Sequence, residues 1–203
     1  MNTKGIELAI SNMVILILMI VTFIGAVTLT FRMYKGAQEI GENIDQQTSR
    51  ELQQLLLSGN DLVAMYPTRV ETSWNQPITV GIGIRNIGQQ GTFTTKIEFS
   101  SAYDTQEKPI QNTDKEYIEQ HWLGNLAVLP ALTLKTNDAT YQGIRIAPQG
   151  NIAQDTSSPH ATYLFNVCIY KKPVPDAPCQ LTNDRTQLNA FYDKQIHQVS
   201  ITT

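Results

Sequence analysis

The stretch ITVGIGIRNIGQQGTFTTKIEFS, residues 78–100, contains two segments that alternate apolar with small or polar side chains. Successive side chains on a β-strand point to opposite faces, so a period of two rich in β-branched and aromatic residues predicts half-buried strands. The Asn and Gly residues between the two segments are typical of a turn. This stretch therefore predicts two neighbouring strands of a sheet.

The same pattern recurs along the carboxy-terminal two thirds of the chain. Clusters of Gly, Pro, Asn and Asp separate the segments, and no helical pattern lies between most of them. Short strands in this arrangement predict an antiparallel β-sandwich over residues 62–203, with a long polar insertion at residues 101–125. The further predicted strands are residues 69–74, 139–147, 161–170 and 194–203, with residues 126–136 as an additional candidate.

The amino-terminal part has a different character. Residues 8–31 carry no ionisable side chain, and a helix of about 20 apolar residues is long enough to cross a bilayer. A secretory signal has a shorter apolar region of roughly 7–15 residues, followed by a small-residue cleavage site. Here Arg32 and Lys35 follow instead. The pattern predicts a helix that spans a membrane.

Helical periodicity continues after this apolar segment. Apolar residues at Ile40, Ile44, Leu52 and Leu56 are spaced for one helical face, so residues 32–57 predict an amphipathic extension. Ser58, Gly59 and Asn60 are typical of a helix end. The expected fold class is therefore α+β, with one long amino-terminal hydrophobic helix over residues 6–57 followed by the β-sandwich.

The chain has two cysteines, Cys168 in a predicted strand and Cys179 in the Pro-rich loop that follows. One interpretation is two independent buried thiols. The other is a disulfide that closes this short loop, which would indicate an oxidising compartment outside the cytoplasm. Because the positive charges that flank residues 8–31 are nearly balanced, this disulfide carries most of the expectation that the amino terminus is cytoplasmic and the β-sandwich is outside.

Charge and motif patterns argue against several functions. The formal net charge is −3, so no large basic field favours nucleic acid. His121, His160 and His197 lack the spacing of a zinc site. The stretch GIGIRNIG, residues 81–88, lacks the spacing of a phosphate loop and no helix follows it. The sequence therefore predicts no catalytic residues, no metal site and no cofactor.

The segment KGIELAISNMVILILMIVTFIGAVTLTF, residues 4–31, resembles the amino terminus of archaeal type IV pilin-like proteins. The strands at residues 78–99 and 161–170 also resemble immunoglobulin-like domains of membrane-anchored archaeal surface proteins. The resemblance implies that residues 1–5 are a short leader, with a processing site between Gly5 and Ile6. It also implies a helical homopolymer, in which the small residues of the apolar helix permit close packing between subunits; these residues are Gly25, Ala26 and Thr28.

The function that this resemblance implies is that of a structural, non-enzymatic subunit of an extracellular filament. The filament would assemble through residues 8–31, with the immunoglobulin-like β-sandwich exposed for surface attachment or motility, and with cell-surface or S-layer proteins as further partners. Two alternatives remain open at this stage. One is a monomeric, membrane-anchored cell-surface binding protein, and the other is an accessory component of a surface machine.

Overall fold

The computed structural model describes residues 18–23, 44–58, 61–175, 177–180 and 185–203. The chain divides into two compact units, residues 1–43 and residues 44–203. In the first unit, residues 18–23 are helical. The second unit is mostly β-structure with short helices, and it contains all the elements named below.

The smaller of the two main sheets has three antiparallel strands in the order β1–β3–β6. β1 spans Val63–Tyr66, β3 spans Ile78–Arg85 and β6 spans Ala139–Ile146. β3 pairs with β6 along its full length, from Ile78 opposite Ile146 to Arg85 opposite Ala139. The predicted strand at residues 78–86 thus forms the centre of this sheet.

The larger sheet has five strands in the order β2–β10–β9–β4–β5. β2 pairs parallel with β10, whereas the other neighbours pair antiparallel. A bulge between Phe99 and Ser101 interrupts the pairing of β4 with β9, and bulges bend a strand and increase its twist. This mixed sheet curls into a half-barrel. Its strands are β2 (Arg69–Glu71), β4 (Gly91–Tyr103), β5 (Leu132–Leu134), β9 (Thr162–Tyr170) and β10 (His197–Thr202).

The remaining elements lie in the connections. The insertion after β4 contains a short helix α2 (Lys115–Ile118), a π-helical turn (Glu119–Leu123) and a 3₁₀ turn (Gly124–Ala127). The side chain of Asp114 caps α2 by accepting a hydrogen bond from the backbone N of Tyr117. A small hairpin of β7 (Asn151–Ala153) and β8 (Thr156–Ser157) precedes β9, and α3 (Arg185–Leu188) lies between β9 and β10.

The main hydrophobic core draws its side chains from both sheets. Val80, Ile82 and Ile144 come from the three-stranded sheet, and Phe165 and Val199 come from the five-stranded sheet. The insertion contributes to the same core through buried aromatic and aliphatic side chains, namely Ile118, Trp122, Leu123 and Leu129. Since neighbouring residues on a strand face opposite ways, this core determines which side chains of the larger sheet point outward.

Helix α1 (Gln46–Ser58) covers the outer face of the three-stranded sheet. Leu52 and Leu56 are fully buried there in a second apolar cluster that includes Ala64. A Cβ atom on Gly81 would lie 2.8 Å from Cδ1 of Leu52, and one on Gly83 would lie 2.7 Å from Cδ1 of Leu56. The two glycines of GIGI therefore allow the helix to approach the sheet closely, which is a packing role.

The predicted fold class, α+β with a long amino-terminal hydrophobic helix and an antiparallel immunoglobulin-like β-sandwich, is wrong. The described structure is mostly β, its helices are short, and its larger sheet is mixed and curled. Residues 6–57 are not one helix, because Ile44 and Asp45 are not helical. Asp45 instead caps α1, since its carboxylate accepts hydrogen bonds from the backbone N of Thr48 at 2.7 Å and from the Thr48 hydroxyl at 3.0 Å.

The predicted transmembrane helix at residues 8–31 is also corrected. Within the ranges that the structure describes, no helix has both the length and the apolar character needed to cross a membrane. Of residues 8–31, only 18–23 belong to those ranges. The leader at residues 1–5, the processing site at Gly5 and Ile6, and the packing residues Gly25, Ala26 and Thr28 lie outside the described residues.

Candidate functional site

The outer face of the five-stranded sheet presents polar side chains in rows that cross neighbouring strands. In one row, Thr202 of β10 lies opposite Glu71 of β2 and Thr162 of β9, and Thr162 lies opposite Tyr103 of β4. In the next row, Ser200 lies between Arg69 and Leu164. A third row joins Gln198, Asn166 and Glu98. The outer face is therefore polar across most of its width.

A disulfide-bonded loop covers one end of this face. Cys168 and Cys179 form a disulfide with a Cα–Cα separation of 5.7 Å, so the predicted bond is present in the structure. Both cysteines are fully buried beside Tyr170 and Phe191, and together they form a small apolar cluster separate from the main core. The loop after β9 thus packs on the sheet through this small apolar cluster.

Hydrogen bonds attach the loop to the third polar row. The backbone N of Cys179 donates to Oε1 of Glu98 at 3.1 Å, and Nδ2 of Asn166 donates to the backbone O of Cys179 at 3.0 Å. Nε2 of Gln198 in turn donates to Oδ1 of Asn166 at 3.0 Å. Both backbone polar groups of Cys179 are therefore satisfied by side chains of the sheet, which fixes the position of the loop.

Glu98 carries a buried negative charge at the centre of these contacts. Its carboxylate forms ion pairs with Lys96, at 2.5 Å, and with Lys115, at 2.7 Å. Burial alone would raise the pKa of Glu98, but the hydrogen bonds from Lys115, Lys96 and the Cys179 amide outweigh it and lower the pKa to about 2. Glu98 is thus fully ionised at neutral pH and holds the strand, α2 and the loop together.

The pKa of Glu119 is shifted in the opposite direction to that of Glu98. Its Oε1 accepts a hydrogen bond from the backbone N of Phe99 at 2.8 Å, next to the bulge in β4. Burial of the carboxyl raises its pKa above the ordinary value, and the hydrogen bond from Phe99 opposes this shift only in part. Glu119 therefore supports the irregular backbone at the bulge.

The other end of the outer face is open and forms a trough of about 1130 Å³. We use "the trough" for the space bounded by β2, β10, β9, the end of β4 and the turn that follows β4. Its lining residues are Thr68, Arg69, Val70, Glu71, Tyr103, Asp104, Glu107, Thr162, Leu164, Gln198, Ser200 and Thr202. The lining is therefore mostly hydroxyl, amide and carboxylate groups.

Several charged side chains of the trough form no hydrogen bond or ion pair with the residues that the structure describes. Asp104 is used, since its Oδ1 accepts hydrogen bonds from the backbone N of Gln106 at 2.8 Å and of Lys108 at 2.9 Å. Among the residues that the structure describes, none forms a hydrogen bond or an ion pair with the charged groups of Arg69, Glu71 or Glu107. These side chains are accessible for contacts with another molecule.

The three histidines are not brought together. His121 stacks on Tyr117, His160 lies against Trp74, and His197 bonds Asp193 through Nε2 at 2.5 Å. In the described part of the chain, no group of three His, Cys, Asp or Glu side chains has the arrangement of a metal site.

Sequence reasoning identified the two cysteines of this face but not the trough. One signal was present, because Gln198, Ser200 and Thr202 alternate with apolar residues along the last strand. That pattern shows an exposed strand face. It does not show which strands lie beside it or whether a loop covers it.

Comparison with known proteins does not identify a family. No family model matches the chain, and no curated protein matches it. Among solved structures, it is similar to a family 123 glycoside hydrolase from Clostridium perfringens, with 9% identity and a TM-score of 0.34, over 67% of this chain and 23% of that chain. It is also similar to the class 5 fimbriae chaperone CfaA, with 10% identity and a TM-score of 0.30, over 68% of this chain and 54% of that chain.

A third similar structure is AvmM, which catalyses macrocyclization in alchivemycin A biosynthesis, with 14% identity and a TM-score of 0.29, over 70% of this chain and 89% of that chain. Likenesses at these TM-scores carry no argument about this chain. The resemblance to archaeal type IV pilin-like proteins and to membrane-anchored immunoglobulin-like surface proteins is wrong. No family model supports it, and the described residues are mostly β-structure with short helices, none of which could cross a membrane.

Proposed function

We propose that this chain is a non-enzymatic binding protein that works outside the cytoplasm and attaches to a surface through the trough. One observation carries the proposal: the outer face of the five-stranded sheet is divided into a half covered by the disulfide-bonded loop and an open half in which several charged groups have no partner among the described residues. Hydrogen bonds join the loop to Glu98 of β4 and Asn166 of β9, and the same two strands line the open half through Tyr103 and Thr162. Groups held in place on paired strands lose less conformational entropy on binding.

The disulfide between Cys168 and Cys179 supports a location outside the cytoplasm. Disulfides persist in oxidising compartments and are rare in the cytosol. This one is fully buried and its loop is bonded to Glu98 and Asn166, as expected for a structural bond rather than a transient redox pair. The location is therefore part of the proposal.

The chemistry of the described carboxylates supports binding rather than catalysis. Glu98 has the lowered pKa of about 2, yet its oxygens are occupied by Lys96, Lys115 and the Cys179 amide. Among the described carboxylates of the trough, Glu71 and Glu107 are exposed to solvent, and Asp104 accepts hydrogen bonds from the turn that follows β4. A general acid or base must reach its substrate, and the buried oxygens of Glu98 are already occupied.

Self-association into a filament through residues 8–31 stays a prediction from the sequence, and it is not part of this proposal. The attachment proposed here involves only the trough and its rim. It applies equally to a monomer and to an assembled protein.

Attachment is tested with beads coated with the full chain and mixed with envelope fragments of cells that produce it. Thr202 and Thr133 are both exposed threonines on the same sheet, but only Thr202 lines the trough. Thr202→Arg fills part of the trough with a long cation and should lower bead attachment at least about tenfold, which corresponds to about 1.4 kcal/mol. Thr133→Arg is the matched control and should attach like the unmodified chain.

Equal attachment of the two variants would contradict the role of the trough. Location is tested separately with an amine reagent that does not cross membranes, applied to intact cells. Lys108 and Lys135 are exposed, so both should react without cell lysis. Reaction only after lysis would overturn the proposed location.

A further inference from the structure

We propose that the ligand of the trough is a neutral oligosaccharide. This inference rests on the proposed binding function and names the chemistry of its ligand. It follows from three properties of the trough: the sign and position of its charges, the small number of apolar side chains in its described lining, and the arrangement of its hydroxyl groups.

The charges of the trough disfavour polyanions. Among the residues that the structure describes, its lining contains one cation, Arg69, and three carboxylates, Glu71, Asp104 and Glu107. Nucleic acids and acidic polysaccharides bind to clustered positive charge, so they would be repelled here. Glu71 follows Arg69 by two residues on β2 and lies on the same face of the strand. Their opposite charges therefore largely cancel on this side of the trough.

Few apolar side chains line the trough, which disfavours a hydrophobic ligand or an apolar peptide as its occupant. Leu164 and Val70 are the apolar lining side chains, and both are only half-buried. Peptides that bind grooves place apolar anchors in pockets, and drug-like ligands occupy mostly apolar cavities. The trough offers one aromatic ring, Tyr103, at its edge.

The hydroxyl groups suit a ligand that is itself rich in hydroxyls. Thr162 and Thr202 lie 3.2 Å apart between their Oγ1 atoms, and either hydroxyl can donate to the other. A hydroxyl both donates and accepts hydrogen bonds, and a carboxylate accepts several. Sugar hydroxyls can therefore donate to Glu71 and Glu107 and accept from Arg69, while the apolar face of a sugar ring packs on Tyr103.

The dimensions favour several sugar units over one. Neighbouring strands lie about 4.8 Å apart, so the three spacings from β2 to β4 cover about 14 Å. The volume of about 1130 Å³ exceeds the roughly 300–1,000 Å³ of common small-molecule pockets. A short linear oligosaccharide matches a long, open, polar trough of this size.

The test is an NMR titration of the full chain, labelled with ¹⁵N, against defined probes. The probes are the neutral tetrasaccharides of glucose, mannose and N-acetylglucosamine, with tetralysine as the cationic comparison. We expect at least one tetrasaccharide to shift the amide signals of residues 69–71, 103–107 and 198–202 in a saturable way. Tetralysine should cause no saturable shift in those residues.

Two variants connect the shifts to the trough. Tyr103→Ala should weaken binding of the active tetrasaccharide about tenfold, because it removes the ring that packs on a sugar face. Tyr141 is an exposed tyrosine on the other sheet, so Tyr141→Ala is the matched control and should bind normally. Glu71→Gln, at an exposed edge position, should weaken binding severalfold and provides a second test if Tyr103→Ala does not fold.

The outcomes separate the ligand class from the proposed function. If no tetrasaccharide shifts trough signals, or if Tyr141→Ala weakens binding as much as Tyr103→Ala, the oligosaccharide proposal is overturned. Saturable binding of tetralysine in the trough would overturn it in favour of a basic ligand. In each case, a selective loss of bead attachment in Thr202→Arg would still support the binding function, whereas no loss there would overturn both proposals.

Discussion

Replacing Glu98 by glutamine should lower the free energy of unfolding by up to about 3 kcal/mol at neutral pH. The pKa of Glu98 falls from 4.5 to about 2 on folding, and each pKa unit corresponds to 1.36 kcal/mol, which sets an upper bound of about 3 kcal/mol. The Glu98 side chain is only 6% exposed, but that of Lys115 is 37% exposed, so solvent screens part of this interaction. Glutamine retains an oxygen for the Cys179 amide but places an NH₂ group near Lys115 without any negative charge.

The sign of the effect predicts its pH dependence. Because folding lowers this pKa, the contribution is complete above the unfolded value near 4.5 and is lost as the pH falls through about 2. The difference between the unmodified chain and Glu98→Gln should therefore shrink steadily from pH 4.5 to pH 2. The pKa of Glu119 is raised mainly by burial and in part by the charge of Glu98, so Glu119 titrates in both proteins with a smaller upward shift in Glu98→Gln.

Urea unfolding of the two chains between pH 2 and pH 7 measures this difference. Glu116→Gln is a suitable control, because Glu116 is exposed on the same short helix as Lys115 and should change stability by less than about 0.5 kcal/mol. A difference below about 1 kcal/mol at pH 7, or one that does not change with pH, would refute the assignment of Glu98 as the charge that fastens the loop.

Three further predictions concern packing and ionisation. Replacing both Cys168 and Cys179 by alanine should lower the free energy of unfolding by about 3 kcal/mol, measured by calorimetry; an unchanged melting temperature would show that the loop needs no disulfide. Gly81→Ala should cost about 1–3 kcal/mol, because its Cβ would lie 2.5 Å from a side-chain carbon of α1, whereas Gly150→Ala, with no atom within 4 Å, should be tolerated; equal urea midpoints would contradict the close approach of α1. Burial raises the pKa of Tyr163 to about 12, so Tyr163→Phe should remove only the last step of the ultraviolet tyrosine titration; loss of an earlier step would be inconsistent with its burial.

Many individual strands could be predicted from the period-two pattern. The predicted strands at residues 78–86, 92–100 and 161–170 correspond to β3, β4 and β9. A strand pattern depends on burial of one face, which the sequence records locally. The disulfide could also be proposed, because a strand followed by a Pro-rich loop brings two nearby cysteines together.

The long helix could not be judged from periodicity alone. Apolar spacing continues from Ile44 to Leu52 and Leu56, yet Ile44 and Asp45 are not helical and the side chain of Asp45 caps α1. An aspartate in a polar stretch is compatible with a helix surface and with a cap, and the choice depends on how α1 packs on Gly81 and Gly83. The local pattern therefore identified the buried face of α1 but not the residue at which α1 begins.

The trough depends on contacts between distant parts of the chain. Arg69 and Ser200 are neighbours only because β2 pairs parallel with β10, and no local signal specifies that pairing. Whether the outer face is open or covered depends on where the disulfide loop is bonded. For that reason, the candidate site could not be predicted from the sequence, although its polar residues were visible.

The division of the outer face into a covered half and a binding half is tested most directly by hydroxyl-radical footprinting of the full chain, free and bound to envelope fragments. Tyr103 and Leu164 line the trough, whereas Leu57 and Val174 are exposed elsewhere. We predict that binding lowers the oxidation of Tyr103 and Leu164 severalfold and leaves Leu57 and Val174 unchanged. Protection of Leu57 or Val174 with no change at Tyr103 and Leu164 would contradict the account.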